Sequence, residues 1–279
     1  MVHIVADTLS SIPVEEAKRL NLPYLPQIII FGEQSFRDDS EIDSETFLQK
    51  LKTSKELPTT AAPSPALYHP IFESLSKTGE PILVICPSSK VSGTVRSAEV
   101  AAQDFPIADI HILDSPLVGA GLGTIVTQSL QWAQEGIDIR SLIDRINELA
   151  SRNRTYFLLD TLEFLRRGGR IGAAKALMGG ILQVKPLLAF RNGQVEPVES
   201  QRTKNKAVTR MIEIVLKECP HDESAFLSVQ EGGSKEEAMK LAEELKNQMN
   251  LKEIPMYTVP PAILVHGGPN VLGVSYFVK

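Results

Sequence analysis

The run Ile82-Leu83-Val84-Ile85-Cys86 is apolar at every position. A half-exposed strand would alternate, so an unbroken run of five fits a strand buried on both faces, as in a parallel sheet covered by helices on either side. Its surroundings repeat the theme. His3-Ile4-Val5-Ala6 is a short strand ending at Asp7, Pro26 to Phe31 is broken by Gly32, and Ile110-His111-Ile112-Leu113 is closed by Asp114-Ser115. Helical spacing fills the intervals: Phe47, Leu48 and Leu51 recur in one segment, and Ser64-Pro65 reads as N-cap and first helical position before Leu67, Ile71, Phe72 and Leu75. Further helices are expected near Ser97 to Gln103, from about Gly119 to Gln134, and after Asp138, where Leu142, Ile143, Ile146 and Leu149 share a face. Strands alternating with helices give an α/β fold whose ligand sites lie beyond the carboxyl ends of the strands, and the loops rich in Ser, Thr and Asp fall there.

The second half changes character. Tyr156 to Leu159 is strand-like and leads to the turn Arg167-Gly168-Gly169-Arg170. Asn192-Gly193 between the apolar runs Leu187 to Phe190 and Val195 to Val198 is a hairpin signal. A helix from about Lys204 to Leu216 carries Val208, Met211, Ile212 and Val215 on one face, and Ala225 to Val229 is a strand. Ser234 and Glu237 have capping-box spacing at the head of a helix with Ala238, Leu241, Ala242 and Leu245. Met256 to Val259, Ile263 to Val265 and Val274 to Val278 are read as short strands. We therefore expect residues 1–153 to form an N-terminal α/β domain and residues 154–279 a C-terminal α+β domain with a largely antiparallel sheet.

Composition narrows the function. An apolar fraction of 43 % with 23 % charged residues is that of a globular chain. With 34 acidic against 29 basic residues the net charge is −5, which argues against a general nucleic-acid binder. Cys86 and Cys219 are too few for a disulfide framework, and Cys86 reads as a buried reduced thiol. No apolar stretch approaches the roughly 20 residues needed to span a bilayer, and no basic segment leads into an apolar one at the N-terminus, so no signal peptide or transmembrane segment is expected and the cytoplasm is the expected compartment. Metal-binding spacings such as H-E-x-x-H and C-x-x-C are missing, and the acidic run Asp38, Asp39, Glu41, Asp43 reads as solvated surface. No cofactor is implied, because the phosphate-cradling P-loop and dinucleotide patterns are also missing.

Three polar clusters could carry chemistry. Thr59 to Pro65 is hydroxyl-rich and runs into a helix start, which suits a carboxylate or phosphate; Ser64 reads as the helix cap and Thr60 as the freer contact. Ser88 to Thr94 follows the buried strand, with Gly93 allowing close backbone approach and Ser92 offering a hydroxyl. His266-Gly267-Gly268-Pro269-Asn270 supplies the histidine best placed to meet an anion. Without a G-x-S-x-G elbow, Ser92, His266 and Asp7 or Asp114 form only a weak hydrolase constellation. Arg166, Arg167 and Arg170 cluster at the Gly-Gly turn, either as a solvated face pairing with Glu163 or as a docking surface for an acidic partner.

Taken in order, several motifs resemble the DegV family: Asp7-Thr8, Thr60 to Pro65, Ser88-Ser89 with Ser92-Gly93-Thr94 and Ser97-Ala98, Asp114-Ser115 with Gly119 and Gly121, Leu162, Leu165, Gly168-Gly169-Arg170-Ile171, Lys185-Pro186, Gly193, Arg202, and His266 with Gly268-Pro269. The resemblance spans the chain. It implies a two-domain protein that holds a long-chain fatty acid between its domains and presents the carboxylate, in some members to a separate ATP-dependent fatty acid kinase that forms an acyl phosphate. Carried over, the carboxylate contacts are Thr60, Ser92, Gly93 and His266. Ser64, Ser115 and Arg170 are site-lining or structural candidates, and Arg202 matches a position used to meet the kinase. Such a carrier has no catalytic residues of its own. A fatty acid also fits the physics, since each buried CH₂ contributes about 0.8 kcal/mol and the carboxylate needs donors to offset lost hydration. Ala120 to Ile125 and Ala174 to Ile181 are the expected tunnel walls. The first loop reads Thr60-Ala61-Ala62-Pro63-Ser64 where the family commonly has Thr-Ser-Gln-Pro-Ser, and Asn270 stands where it usually has glycine. The alternatives are a stand-alone acyl hydrolase using Ser92 and His266, and a lipid sensor without a kinase. No feature requires a homodimer, and none argues against one.

Overall fold

The computed structural model describes residues 1–177 and 185–279. The chain opens with β1 (His3–Asp7), α1 (Val14–Arg19) and β2 (Tyr24–Leu25), then forms β3 (Ile28–Phe31), β4 (Gln34–Arg37), α2 (Ser44–Thr53) and β5 (Thr59–Ala61). It continues through α3 (Pro65–Ser76), β6 (Ile82–Cys86), α4 (Thr94–Ala102), β7 (Ile110–Asp114), α5 (Ala120–Gln134) and α6 (Ile139–Ser151). Strands β2-β1-β6-β7 form a parallel sheet in that order. The apolar run at 82–86 is its centre, and its side chains divide between the two faces. Leu83 and Ile85 pack with α5 and α6, while Ile82, Val84 and Cys86 meet Tyr68 and Phe72 of α3 and Ala98 and Ala101 of α4.

One strand expected in that sheet lies elsewhere. Strand β3 pairs antiparallel with β4 and β5 in a separate three-stranded sheet, so the Thr59–Ala61 segment is a strand rather than a loop. A short strand such as Ile28–Phe31 has no preference of its own between parallel and antiparallel partners; the Gly32 turn (φ +58°) folds β4 back onto it.

The second half begins with β8 (Asn153–Leu158), α7 (Glu163–Arg167) and a 3-10 segment, Gly172–Leu177. It then runs through β9 (Lys185–Arg191), β10 (Gln194–Gln201), α8 (Lys204–Glu218), β11 (Ser228–Gly232), α9 (Lys235–Met249), β12 (Met256–Thr258), α10 (Pro261–Gly267) and β13 (Val271–Phe277). Six strands form one mixed sheet in the order β10-β9-β8-β13-β11-β12, antiparallel except for the last pair. Asn192 and Gly193, at φ +50° and +78°, make the expected hairpin between β9 and β10. Pro197 is accommodated on the edge strand β10 beside a bulge.

Several local expectations fail, and the strand read at Ala225 to Val229 begins only at Ser228. Ile263 to Val265 belongs to the helix α10, because Pro261 occupies its first turn and Ala262, Leu264 and Val265 are buried where the helix packs against α2, α7 and β3. The capping box at Ser234 does not form: its hydroxyl donates to the Val271 carbonyl (2.7 Å), and Glu237 pairs with Lys204. Tertiary partners displace the local ones.

The six-stranded sheet has two dissimilar faces. Tyr156, Leu158, Leu187, Ala189, Val229, Leu272 and Val274 point toward α8 and α9 and close one core. The alternate residues, including Leu188, Phe190 and Val271, join Leu9, Ile29, Phe31 and Phe47 from the first half in another. A cavity lies within this shared layer.

Candidate functional site

A cavity of about 140 Å³ opens between β5, the 91–93 turn, α10 and the face of the six-stranded sheet. Thr60, Ser92, Gly93, Arg170 and His266, which lie far apart in the sequence, all line it. Most of the remaining wall is apolar, including Leu9, Val91, Phe157, Leu159, Leu165 and Phe190.

Each polar group is set by its element. Thr60 sits in β5, paired with Ile29, and its hydroxyl is 3.1 Å from His266 Nε2. His266 lies in the last turn of α10, with Nδ1 buried and unpartnered among the described residues. Gly168 makes that position accessible, since a Cβ there would stand 2.1 Å from Nδ1. Burial, reinforced by the Arg170 guanidinium, pulls the imidazole down to about 4, so it is neutral at neutral pH. In the tautomer with the proton on Nε2, the ring donates to Thr60, whose own hydroxyl proton is then free to face an anion.

Arg170 is anchored through Nε to the Val91 carbonyl (3.2 Å) and through Nη1 to the Gly168 carbonyl (2.7 Å). No carboxylate pairs with it among the described residues; Glu163 is taken by Arg166 and Arg167. It is therefore both structural and cavity-lining, and gives the cavity a positive charge. Helix α4 adds its positive end, with Gly93 as N-cap at φ −83°. Among the described residues a Cβ at Gly93 would meet only the Ala62 methyl at 3.6 Å, so their packing does not demand glycine there.

From the cavity wall a buried polar chain runs inward, and sequence reasoning missed Gln27 and the way it links the other members. The Ser92 hydroxyl is 2.8 Å from the Thr94 hydroxyl, and Gln27 Nε2 donates to Thr94 Oγ1 (3.2 Å) and to Asp7 Oδ2 (3.0 Å). The Gln27 amide and the Thr8 hydroxyl both donate to Asp38 Oδ1 (2.8 Å each). Burial pushes the carboxyls of Asp7 and Asp38 up to about 7. The reading of Asp38 as solvated surface is thus overturned: it is 7 % exposed, because the β3–β4 hairpin folds it inward. A lone glutamine such as Gln27 carries no sequence signal.

Other candidates lie outside the cavity lining. Ser64 occupies the N-cap position of α3 but makes no side-chain capping bond. Ser115 is buried, with its hydroxyl near the Leu117 amide. Ser88 docks on the hairpin turn by donating to the Gly193 carbonyl (2.9 Å), and Arg202 is exposed in the turn before α8. The expected walls are corrected too. Within Ala120 to Ile125, Leu122 and Ile125 pack under the parallel sheet, and the cavity is met by Val118 and Gly119 instead. Ala174 is in the shared core but not on the cavity wall, and residues 178–181 of the second expected wall lie outside the described residues. A hydrolytic triad does not form, since Ser92 is bonded to Thr94, His266 to Thr60, and no carboxylate stands behind Nδ1 among the described residues.

A family model described as "Uncharacterised protein, DegV family" matches residues 1–279. The chain belongs to the DegV family. A DegV domain-containing protein of Halalkalibacterium halodurans is 31 % identical to it over 279 residues, covering 100 % of this chain and 99 % of that one. Among solved structures, the fatty-acid-binding DegV of Bacillus subtilis is 29 % identical with a TM-score of 0.87, and a fatty-acid-binding DegV-family protein of Thermus thermophilus is 26 % identical with a TM-score of 0.87. Each comparison covers 100 % of this chain and 99 % of the other. The α/β architecture is thus that of the DegV family. Asn270 keeps the turn: it adopts φ +61°, and its side-chain Nδ2 donates to Asp160 Oδ2 (2.7 Å).

Proposed function

We propose that this DegV-family chain is a cytoplasmic carrier that holds one long-chain fatty acid between residues 1–153 and 154–279 and presents its carboxylate to a separate kinase. The observation that carries the reading is the convergence of Thr60, Ser92, Gly93, His266 and Arg170, which has no carboxylate partner among the described residues, on an otherwise mostly apolar cavity. An anionic head needs donors and a positive charge where its hydration is lost, and an acyl tail needs apolar walls. The fatty-acid-binding relatives from Bacillus subtilis and Thermus thermophilus support the same ligand class. Exposed Arg202 is the residue through which we expect the kinase to dock.

Native mass spectrometry of the freshly purified protein, followed by extraction of the bound molecule, is the decisive experiment. One fatty acid per chain is expected, and Arg202→Ala should retain it while slowing phosphorylation by the kinase. A protein that arrives empty and takes up no added fatty acid would overturn the carrier reading. Phosphorylation unaffected by Arg202→Ala would remove only that residue from the docking surface.

A further inference from the structure

The cavity is polar again on the sheet face away from the Thr60–His266 pair. The strand registers place Phe157, Gly273 and Gln230 side by side across β8, β13 and β11, with Thr155 and Ser275 in the next row. Val271 and Leu159 stand nearest α10, so Gln230 is one row, and Thr155 two rows, further along the same face. Gly273 places no side chain between Phe157 and Gln230, and Thr155, Phe157, Gln230 and Gly273 all line the cavity.

Gln230 is 7 % exposed. Its Oε1 accepts the Ala120 amide at 2.8 Å, which fixes the orientation of the side-chain amide. Gly119 permits this approach, because a Cβ there would lie 2.6 Å from Oε1. With the oxygen committed to α5, Nε2 has no acceptor among the described residues although the side chain lines the cavity. In the next row, across β13, Thr155 Oγ1 is held 2.9 Å from Asn153 Oδ1 and 3.1 Å from Ser275 Oγ, and keeps a lone pair for a ligand hydroxyl. A plain methylene chain passing here leaves a dry N–H unpaired, whereas an oxygen on the chain accepts from it.

We propose that these two rows form a subsite for an oxygen function, hydroxyl or keto, carried on the acyl chain remote from its carboxyl, with Gln230 Nε2 as donor and Thr155, across β13 in the next row, as the second polar group. The inference rests on the fatty-acid reading and narrows its ligand class to oxygenated acyl chains. Gln230 is then a specificity-determining residue, distinct from the groups that hold the carboxylate.

The test is competition for the site between octadecanoic acid and hydroxyoctadecanoic acids substituted at mid-chain and at the terminal carbon, in the full-length wild type, Gln230→Met and Thr155→Val. The wild type should prefer one of the hydroxylated acids. Gln230→Met should lower that preference roughly tenfold, with octadecanoic acid gaining affinity. Thr155→Val should lower it in the same direction, and serves as the readout if Gln230→Met does not fold. An unchanged preference in the folded variants, as when a bound water already satisfies Nε2, would overturn the subsite and leave the carrier reading standing. Failure of every acid to bind the wild type would overturn both.

Discussion

Thr60 and His266 are separated by 206 residues and come to 3.1 Å, so neither chemistry nor spacing along the chain could join them. Residue types suggested the anion site, and the family resemblance suggested which residues to join. What neither revealed was the support: Gln27, Thr94 and Asp38 have ordinary local sequences and gain their roles through burial and partners. Gly93 is the sharpest residue-scale test. Its backbone lies at φ −83°, open to any residue, and among the described residues its Cβ direction meets only Ala62. Gly93→Val should therefore keep the fold while filling space beside the carboxylate, with fatty-acid affinity falling at least about tenfold, equivalent to roughly 1.4 kcal/mol. Isothermal titration alongside a urea melt checks both halves. Wild-type affinity in the variant would mean that the ligand does not approach this turn.

Among the elements, α5 shows how a helix can be chosen against its own propensity. Gly121 and Gly123 weaken it locally, yet a Cβ at Gly123 would stand 2.4 Å from the Ser10 carbonyl oxygen. The helix thus rests directly on the turn after β1, the turn that carries Asp7, Thr8 and Leu9 to the site. Propensity alone expects Gly123→Ala to stabilise by up to about 1 kcal/mol. Because the clash is with backbone, the expected net effect is destabilisation of about 1–3 kcal/mol. Urea unfolding of the variant reads the sign, and a stabilised Gly123→Ala would show that this contact is not needed. The same competition explains the misread segments: α10 looked like a strand because Ile263 and Val265 are β-branched, but Pro261 starts a helix and the shared core buries it.

At the scale of the whole molecule, buried ionisable groups tie stability to pH. Asp7 and Asp38 are raised to about 7, so between about pH 4 and 7 the folded chain holds protons that the unfolded chain has released, and stability falls as pH rises through that window. His266, depressed to about 4, acts oppositely: below about pH 6.5 the unfolded imidazole takes a proton that the folded one refuses, so stability is lost as pH falls toward 4. Asp38→Asn removes one carboxylate contribution. Its stability relative to wild type should improve between pH 4 and pH 8, by an amount on the order of 1–4 kcal/mol. Parallel pH–stability curves for the two proteins in urea titrations would contradict the burial argument.

The sequence by itself determined the periodicities that resist context: the doubly buried strand at 82–86, the amphipathic helices, the Asn192-Gly193 hairpin and the Asp138 cap, which accepts the amides of Arg140 and Ser141. These depend on neighbours a few residues away, and their physics is local. It also supplied the inventory of donors without an enzyme's motif. Tertiary structure alone decided that β3 leaves the parallel sheet, that Asp38 is buried, and that Ser64 and Ser115 lie off the cavity wall. It alone turned Gln230 toward that wall, with its oxygen bonded across to α5. Those outcomes arise where segments from both halves of the chain compete for one apolar layer, and burial there outweighs the weak preferences of single residues.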